Sequence, residues 1–396
     1  MVTIMKERNE KMLKEQSKEN KGKRKWWLIP VGIVMLLILA GISIPKVLFT
    51  DYAGLPTTGP YGVKMVSAIL VDGNRVETFE EDGSNREVPV YFYYPDITGT
   101  QMDAMQENND GKSPLVIFSH GAFGYYESNT STYMELASHG YVVISMDHPY
   151  HSFFTTDTEG KTITVNPEFM QEAMGINGEE VTEEDVFNVS RKWMNLRVAD
   201  MNLVLDSVKN SVATGSMTEE LWYVADEATG QEVLSVLTMI DTEKIGLMGH
   251  SLGGATSVTV GRTREDIDAV IDLDGTMLGE QIDFVDGEYV YYEDAYPIPL
   301  LSIDNEAHHQ DSYGTDAPYV NKLVVENALD SKYTYFVGSG HMNFTDLPLL
   351  SPILASFLGV GEIDAMECVV TMNEIVLEYF DCYLKDDGMA EIKECY

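Results

Sequence analysis

The chain has 396 residues and a formal net charge of −38, with only three cysteines. A surface this acidic is repelled by nucleic acid and by anionic lipid headgroups, so nucleic acid is excluded as an expected partner. The length suits one large α/β domain with insertions, or such a domain with a small appendage.

The N-terminal segment has the pattern of a signal anchor. Residues 1–25 hold nine Lys and Arg against four Glu, so the remainder of the chain carries a net charge of −43. Residues 26–44 are uncharged, and a helix of that length spans roughly 28 Å, close to the hydrocarbon core of a bilayer. The positive-inside rule predicts a cytoplasmic arm (1–25), one transmembrane helix (26–44), a linker (45–61) and an extracytoplasmic domain (62–396).

The expected location is therefore the cell membrane, with a single span. A cleaved signal peptide is the alternative. The apolar run is longer than the core of a usual signal peptide, and no clear small-x-small cleavage site follows it, so the anchor is favoured.

Apolar patterning in the following region predicts an α/β domain. Alternation predicts two antiparallel strands at 63–71 and 88–94, with Asp-Gly turn signals at 72–73 and 82–83 between them. The pattern next predicts a strand at 115–118, a helix near 131–138, a strand at 141–145 and a long helix over 185–209.

The βα alternation that follows is typical of a mostly parallel sheet with helices on both faces. Three segments interrupt the pattern, at residues 151–184, 211–242 and 279–296. The third is acidic and rich in Tyr, and we interpret it as an exposed hairpin. The alternative is that it lines an acyl or alcohol pocket.

Residues 249–253, Gly-His-Ser-Leu-Gly, are the most informative motif. A strand-like run at 244–248 precedes it, and a small, apolar, helix-like run at 254–260 follows. Strand, tight turn and helix form the context in which G-x-S-x-G becomes a nucleophile elbow. The glycines are needed because a Cβ would clash beside a strained serine. We therefore predict Ser251 as a nucleophile.

The general base must come from the histidines, and only three of the eight follow Ser251. Hydrolases with a G-x-S-x-G nucleophile elbow carry the serine, the acid and the histidine in that chain order. His341 follows a strand-like run and a glycine-rich turn, so we predict it as the base. His308 and His309 are interpreted as a solvated loop pair, and His250, within the elbow turn, as structural.

The acid has two candidates. Asp274 follows the strand-like run 269–273, and it lies nearer the carboxyl end of that strand than Asp272, which alternation puts on the same side. Asp304 ends the next strand, where many hydrolases of this architecture carry the acid. The chosen carboxylate would fix the tautomer of His341 and stabilise its imidazolium.

An oxyanion hole requires two preorganised backbone N–H groups. One is expected at Leu252, directly after the nucleophile, and the other in the loop at residues 120–124, which follows the third strand.

The C-terminal region is predicted to end in a helix over 371–384. It also contains Cys368, Cys382 and Cys395, two of which could pair outside the cell, although an odd count fixes no connectivity. No C-x-x-C motif or nearby histidine accompanies them, so no metal site is expected there.

Four motifs together resemble the platelet-activating factor acetylhydrolase family of serine esterases. They are residues 119–123 (SHGAF), residues 249–254 (GHSLGG), the pair Leu273 and Asp274, and residues 338–346 (GSGHMNFTD). The resemblance runs from about residue 62 to about residue 352, with insertions, and is thin between the motifs.

The resemblance implies an α/β-hydrolase fold, no cofactor, and hydrolysis of carboxylic esters, short sn-2 acyl groups of phospholipids among them. It also implies Asp274 rather than Asp304 as the acid, because the family carries the acid on the strand immediately after the elbow. The second oxyanion donor implied by the resemblance is the N–H of Ala122.

Two classes of function follow. The first is a membrane-anchored serine esterase that acts through an acyl-enzyme on a small ester or phospholipid. The second is a hydrolase-fold ectodomain used for binding, in which decay of the catalytic positions would be expected, and none is visible. Within the first class, polyester or aryl-ester hydrolases, acyltransferases and peptidases share the elbow, so the motifs leave the substrate open.

Overall fold

The computed structural model describes residues 48–97, 111–176, 178, 180–314 and 319–396. The predicted arm (1–25) and membrane helix (26–44) lie outside these residues. Within the described ranges, no helix has both the length and the apolar character that crossing a bilayer requires.

The described chain is an alternation of strands and helices. Its first part forms β1 (Gly62–Val76), β2 (Asn85–Asp96), β3 (Ser113–Ser119), α1 (Thr130–Ser138), β4 (Val142–Met146), β5 (Phe154–Thr156), β6 (Thr162–Thr164), α2 (Pro167–Gly175), α3 (Glu183–Thr214), β7 (Trp222–Tyr223) and α4 (Glu227–Met239). Its second part forms β8 (Ile240–His250), α5 (Leu252–Thr263), β9 (Ala269–Leu273), β10 (Gln281–Val285), β11 (Glu288–Tyr291), β12 (Leu300–Asn305), α6 (Glu306–Tyr313), α7 (Val320–Asn327), β13 (Ser331–Phe336), α8 (Leu347–Leu350), α9 (Pro352–Leu358) and α10 (Ala365–Leu384).

One nine-stranded sheet organises the fold, in the order β13-β12-β9-β8-β3-β4-β2-β1-β7. The strands from β13 to β4 pair in parallel, whereas β2, β1 and β7 pair antiparallel at the other edge. The predicted α/β architecture with a mostly parallel central sheet is therefore confirmed.

Both faces of the sheet are covered, which explains why its central strands are apolar throughout. In β3, Leu115 and Ile117 belong to one core cluster, with residues of α3 and α4, whereas Val116 and Phe118 belong to another, with residues of α1 and α10. All four side chains are fully buried, as expected for a parallel strand between two helical layers.

The first hairpin differs from its prediction at one turn. The Asp-Gly signal at residues 72–73 lies inside β1, where the register shifts between Asp72 and Val76. Asp72 Oδ1 accepts the N–H of Asn74 at 3.0 Å, so the side chain closes a local irregularity within the strand instead of reversing the chain. The reversal occurs between β1 and β2, around the second signal.

The interrupting segments also have structure. Residues 151–184 contain the β5–β6 hairpin and α2, and residues 211–242 contain α4 and the short edge strand β7, which pairs with β1. Residues 279–296 contain the hairpin β10–β11, in agreement with the prediction. This hairpin contacts the start of α3, where Tyr289 Oη donates to Glu183 at 2.6 Å.

Candidate active site

Ser251 lies in a sharp turn between β8 and α5. Its backbone has φ 56° and ψ −124°, a left-handed region that a residue with a Cβ seldom adopts. Strain of this kind persists only where the surrounding structure imposes it, and it clusters at functional sites. The strand, turn and helix predicted around G-x-S-x-G are therefore present.

The glycines around Ser251 let α5 approach the sheet. A Cβ on Gly249 would lie 2.2 Å from the carbonyl carbon of Gly253, and one on Gly253 would lie 1.9 Å from Ser119 O. A Cβ on Gly254 would lie 1.9 Å from Asp272 Oδ1. None of these distances is compatible with a side chain, so the turn and the packing of α5 against β3 and β9 require glycine.

Asp274 and His341 are hydrogen-bonded across two strand ends. Asp274 follows β9, His341 follows β13, and His341 Nδ1 lies 2.6 Å from Asp274 Oδ2. The Asp274 side chain is buried, whereas that of His341 is 39% exposed. An Nδ1–H donor toward the carboxylate leaves Nε2 as the acceptor nitrogen. In the described ranges, neither His341 Nε2 nor the Ser251 hydroxyl has a hydrogen-bond partner.

The carboxylate of Asp274 receives further hydrogen bonds. Asn305 donates its backbone N–H to Oδ1 at 2.7 Å and its side-chain amide to Oδ2 at 2.6 Å. His308 Nδ1 lies 3.1 Å from Oδ1. Burial opposes ionisation, but the hydrogen bonds from His308 and His341 hold the pKa of Asp274 well below its usual value.

The other acidic residues of this region have different surroundings. Asp304 accepts from Tyr333 Oη at 3.0 Å and faces His308 Nδ1 at 3.5 Å, and burial raises its pKa to about 6. Asp272 accepts the N–H of Gly275, and burial, with the charge of Asp304, raises its pKa well above the usual value. Of the two candidate acids, Asp274 is the one that contacts His341.

The interpretation of His308 and His309 as a solvated loop pair is wrong. Both lie in the first turn of α6, which Asn305 caps by accepting the N–H of His308. The His308 side chain is only 10% exposed, because the end of β12 directs it toward the neighbouring end of β9. His309 stacks on Tyr335 with ring centroids 3.7 Å apart.

The donor atoms of Asp274, Asp304 and His308 lie within 4.8 Å of one another, a spacing that would admit a metal ion. His308 Nδ1 is, however, at hydrogen-bond distance from Asp274 Oδ1, so a proton accounts for the same arrangement.

His250 supports the backbone of His341. Its Nε2 lies 3.1 Å from His341 O, and the two rings are 4.5 Å apart. Burial lowers the pKa of His250 to about 3, so the ring is neutral near pH 7.

The loop after β3 approaches the serine closely. A Cβ on Gly121 would lie 3.2 Å from Ser251 Cβ, which places the peptide of Gly121 and Ala122 beside the nucleophile. Within the described part of the chain, the N–H groups of Ala122 and Leu252, the two predicted oxyanion donors, have no hydrogen-bond acceptor. Both are therefore available to a ligand.

Comparison with known proteins gives the family. A family model described as platelet-activating factor acetylhydrolase, isoform II, matches residues 91–390. The chain belongs to this family. The platelet-activating factor acetylhydrolase of Gallus gallus is 25% identical over 288 residues, which cover 69% of this chain and 62% of that protein. That of Bos taurus is 24% identical over 288 residues, covering 69% and 57%.

The chain thus spans about three fifths of the length of the curated relatives it matches. Among solved structures, a ferulic acid esterase from Streptomyces cinnamoneus superposes with a TM-score of 0.59 at 19% identity, covering 85% of this chain and 95% of the esterase. At this identity the likeness concerns the fold, and it agrees with an α/β-hydrolase architecture.

Three residues of the segment 338–346 have structural roles beside that of His341. Asn343 Oδ1 accepts the N–H groups of Gly340 and Gly361 at 2.9 and 2.8 Å, which fixes the turn that carries His341. Phe344 is fully buried, with its ring at a right angle to that of Phe336. The motif therefore joins the histidine to the core.

Asp346, the last residue of the motif, binds the N-terminus of α1. Its Oδ2 accepts the N–H of Ser131 at 2.7 Å, and its Oδ1 accepts the Ser131 hydroxyl. A carboxylate is favourable at a helix N-terminus because it accepts free N–H groups there.

Arg197 is a functional candidate that the sequence did not indicate. It lies in α3 and its side chain is fully buried, with Nη1 bonded to His120 O and Nη2 to Gly121 O at 3.2 Å. Burial lowers its pKa to about 9, so it is still a cation near pH 7. The guanidinium therefore holds the loop that contains Ala122.

An ionic cluster anchors α3 beneath that loop. Asp200, one turn after Arg197, lies 2.7 Å from Arg86 and 3.0 Å from His148 Nδ1. His148 in turn bonds Ser119 at the end of β3. Burial opposes the charge on Asp200, but Arg86 and His148 hold its pKa well below the usual value.

The first inserted segment covers the same side of the site. Phe169 of α2 stacks on His151, with ring centroids 3.8 Å apart, and packs against Trp193 of α3. This apolar cluster includes Leu252 and is contacted by Ala122. Val165 and Phe169 of this segment thus share an apolar cluster with Leu252, the residue after Ser251.

Proposed function

We propose that the protein is a carboxylic ester hydrolase in which Ser251, His341 and Asp274 form a catalytic triad. Two features together carry the proposal. Ser251 has a left-handed backbone conformation in the turn between β8 and α5, and the buried Asp274 carboxylate is hydrogen-bonded to His341 at 2.6 Å. Membership of the platelet-activating factor acetylhydrolase family supports it.

In the proposed reaction, Ser251 Oγ attacks the ester carbonyl carbon while His341 Nε2 takes the hydroxyl proton. Asp274 stabilises the imidazolium that results. The N–H groups of Leu252 and Ala122 bind the oxyanion, and the alcohol departs with the proton from His341. Water, activated by His341, then hydrolyses the acyl-enzyme and frees Ser251.

The proposed substrates are esters with a short acyl group. Membership of the family supports phospholipids with short sn-2 acyl chains as the substrate class. The apolar cluster of Val165, Phe169 and Leu252 supports an ester with an apolar part. The chemistry uses no cofactor.

The test is hydrolysis of short-chain p-nitrophenyl esters and of short sn-2 phospholipids, with and without EDTA. Ser251→Ala should reduce the rate by about 10⁴-fold or more, because it removes the covalent route, and should abolish labelling by a fluorophosphonate. Its thermal melt should stay that of the parent protein. Labelling that persists at another serine, or activity that EDTA abolishes and zinc restores, would contradict the proposed mechanism.

The proposed location is the cell membrane, with residues 26–44 as a single span and the catalytic domain outside. The basic arm before the apolar run supports this orientation. Protease added to intact cells should remove the catalytic domain, and the full chain should sediment with membranes. A domain protected until lysis would reverse the topology, whereas a domain free in the medium would indicate cleavage.

A further inference from the structure

Three buried carboxyl groups meet where β9 and β12 end. Asp272, Asp274 and Asp304 are each at most 3% exposed. Buried acids this close disfavour one another's ionisation. Burial indeed raises the pKa of Asp272 well above its usual value and that of Asp304 to about 6, whereas the pKa of Asp274 is lowered. A specific partner must therefore keep Asp274 ionised.

His308 has the geometry of that partner. Its Nδ1 lies 3.1 Å from Asp274 Oδ1 and 3.5 Å from Asp304 Oδ1. Its Nε2 lies 2.8 Å from Tyr319 Oη. A neutral imidazole has one donor nitrogen, whereas a protonated one donates from both. Two carboxylates at Nδ1 favour the imidazolium, and the Tyr319 hydroxyl at Nε2, which can accept as well as donate, is compatible with it.

The same contacts saturate the Asp274 carboxylate. Oδ1 accepts from the Asn305 N–H and from His308, and Oδ2 accepts from the Asn305 amide and from His341. A carboxylate offers about four acceptor positions, so all are used. Each oxygen is held by one histidine, and the plane of the carboxylate is fixed relative to His341.

We propose that His308 is a positioning residue, a buried imidazolium that links Asp304 to Asp274 and keeps Asp274 ionised and oriented toward His341. The inference rests on the proposed function, because it assigns Asp274 to the triad.

The charges around His308 are consistent with this role. Asp272 of β9 and Asp274, which follows β9, interact with His308, as do Asp304 of β12 and Tyr319, which directly precedes α7. On β13, Tyr333 donates to Asp304 at 3.0 Å. Burial alone would lower the pKa of His308, but the hydrogen bond to Asp274 and the charge of Asp304 raise it to about 11.

The kinetic test compares His308→Gln with His308→Phe. Glutamine keeps a hydrogen-bond donor but has no charge, and phenylalanine has neither. The quantity to measure is kcat/KM for p-nitrophenyl acetate between pH 5 and pH 9. In His308→Gln, the acidic midpoint should rise by about one pH unit or more, because loss of the cation lets Asp274 protonate at higher pH.

At pH 8, His308→Gln should stay within about tenfold of the parent protein, since one hydrogen bond to Asp274 is replaced, and His308→Phe should lose more. The matched control is His139→Gln, at a histidine that follows α1 and contacts Thr58 and Glu135, and its profile should superimpose on that of the parent. A uniform loss in His308→Gln, with the acidic midpoint unmoved, would show a merely structural role and overturn the inference.

A direct test does not depend on turnover. In protein with ¹⁵N-labelled histidine, the His308 signals, assigned by their loss in His308→Gln, should be those of an imidazolium at pH 8. Signals of a neutral ring at that pH would overturn the inference. If no ester is hydrolysed and no fluorophosphonate labels Ser251, the proposed function fails instead, and the charge of His308 is still read from the spectrum.

Discussion

Arg197 donates from Nη2 to the carbonyl oxygen of Gly121 at 3.2 Å. That carbonyl belongs to the peptide whose N–H is on Ala122, and in a trans peptide the C=O and the N–H point in opposite directions. Fixing the oxygen of Gly121 therefore fixes the direction of the Ala122 N–H. The same oxygen also accepts from His120 Nδ1 at 2.6 Å and from the Gly124 N–H at 3.1 Å.

This relationship predicts that Arg197 acts on kcat through the oxyanion hole. In Arg197→Met, the guanidinium contacts are lost and the Ala122 N–H is less well oriented, so kcat should fall by about 10- to 10³-fold with a smaller change in KM. In Arg197→Lys, where the ammonium can reach one carbonyl oxygen, kcat should fall less. Steady-state kinetics on one ester measures both values.

The control for this prediction is a thermal melt of each variant. Arg197→Met removes a buried cation near Asp200 and the donors to His120 O and Gly121 O, so its Tm is expected to fall, and kcat is compared at a temperature where each variant is folded. Arg264→Met, at an arginine paired with Asp206 and Asp266 near the surface, should leave kcat unchanged. A rise in KM with unchanged kcat in Arg197→Met would indicate a role in substrate binding instead.

The elbow could be predicted from sequence because its determinants are local. Gly249, Gly253 and Gly254 lie within a few residues of Ser251, and the steric need for each arises in that turn. The strands on either side are apolar runs, which a buried parallel sheet requires. The pairing of Asp274 with His341 also follows from position, since the carboxyl ends of parallel strands meet at one edge of the sheet.

His308 and Arg197 could not be predicted in the same way. The polar run after β12 has the composition of a solvated loop, and only the adjacency of β9 and β12 shows that His308 lies beside Asp274. An arginine in a long helix with a mixed pattern is typical of an exposed face. Its burial depends on the contact between α3 and the loop after β3, which is distant in sequence.

Substitution of Gly254 should destabilise the fold strongly. In Gly254→Ala, the new Cβ would lie 1.9 Å from Asp272 Oδ1, which accepts the N–H of Gly275. We expect a loss of about 1–3 kcal/mol in the free energy of unfolding, as for overpacking of a core. Denaturant titration measures this.

The matched control is Gly73→Ala, where a Cβ would meet nothing within 4 Å. This variant should unfold within about 0.5 kcal/mol of the parent protein. Equal effects in the two variants would mean that the approach of α5 to β9 is less close than described.

The charge of His308 predicts a pH dependence of stability. Its pKa in the folded protein is raised to about 11, above the ordinary value of 6.5. The contribution to stability is then complete below pH 6.5 and is lost progressively as the pH rises toward 11. The difference in Tm between the parent protein and His308→Gln should therefore shrink from pH 7 to pH 10. The pKa of His309 is lowered, so the difference for His309→Gln should stay constant over that range.

The identity of the acid gives the sharpest prediction. If Asp274 orients His341, Asp274→Asn should reduce kcat by about 10⁴-fold, because an amide favours the wrong tautomer of the imidazole. Asp304→Asn should cost about tenfold or less at pH 8, since Asp304 contacts His308 and Tyr333, whereas the carboxylate bonded to His341 is that of Asp274. Both substitutions preserve side-chain size, and both carboxylates are buried, so each serves as the control for the other.

The comparison requires kcat of both variants on one ester at one pH, with purified proteins that each melt cooperatively. A mild effect at Asp274 with a severe effect at Asp304 would transfer the role of acid to Asp304, and the 2.6 Å hydrogen bond between Asp274 and His341 would then be a support rather than part of the reaction.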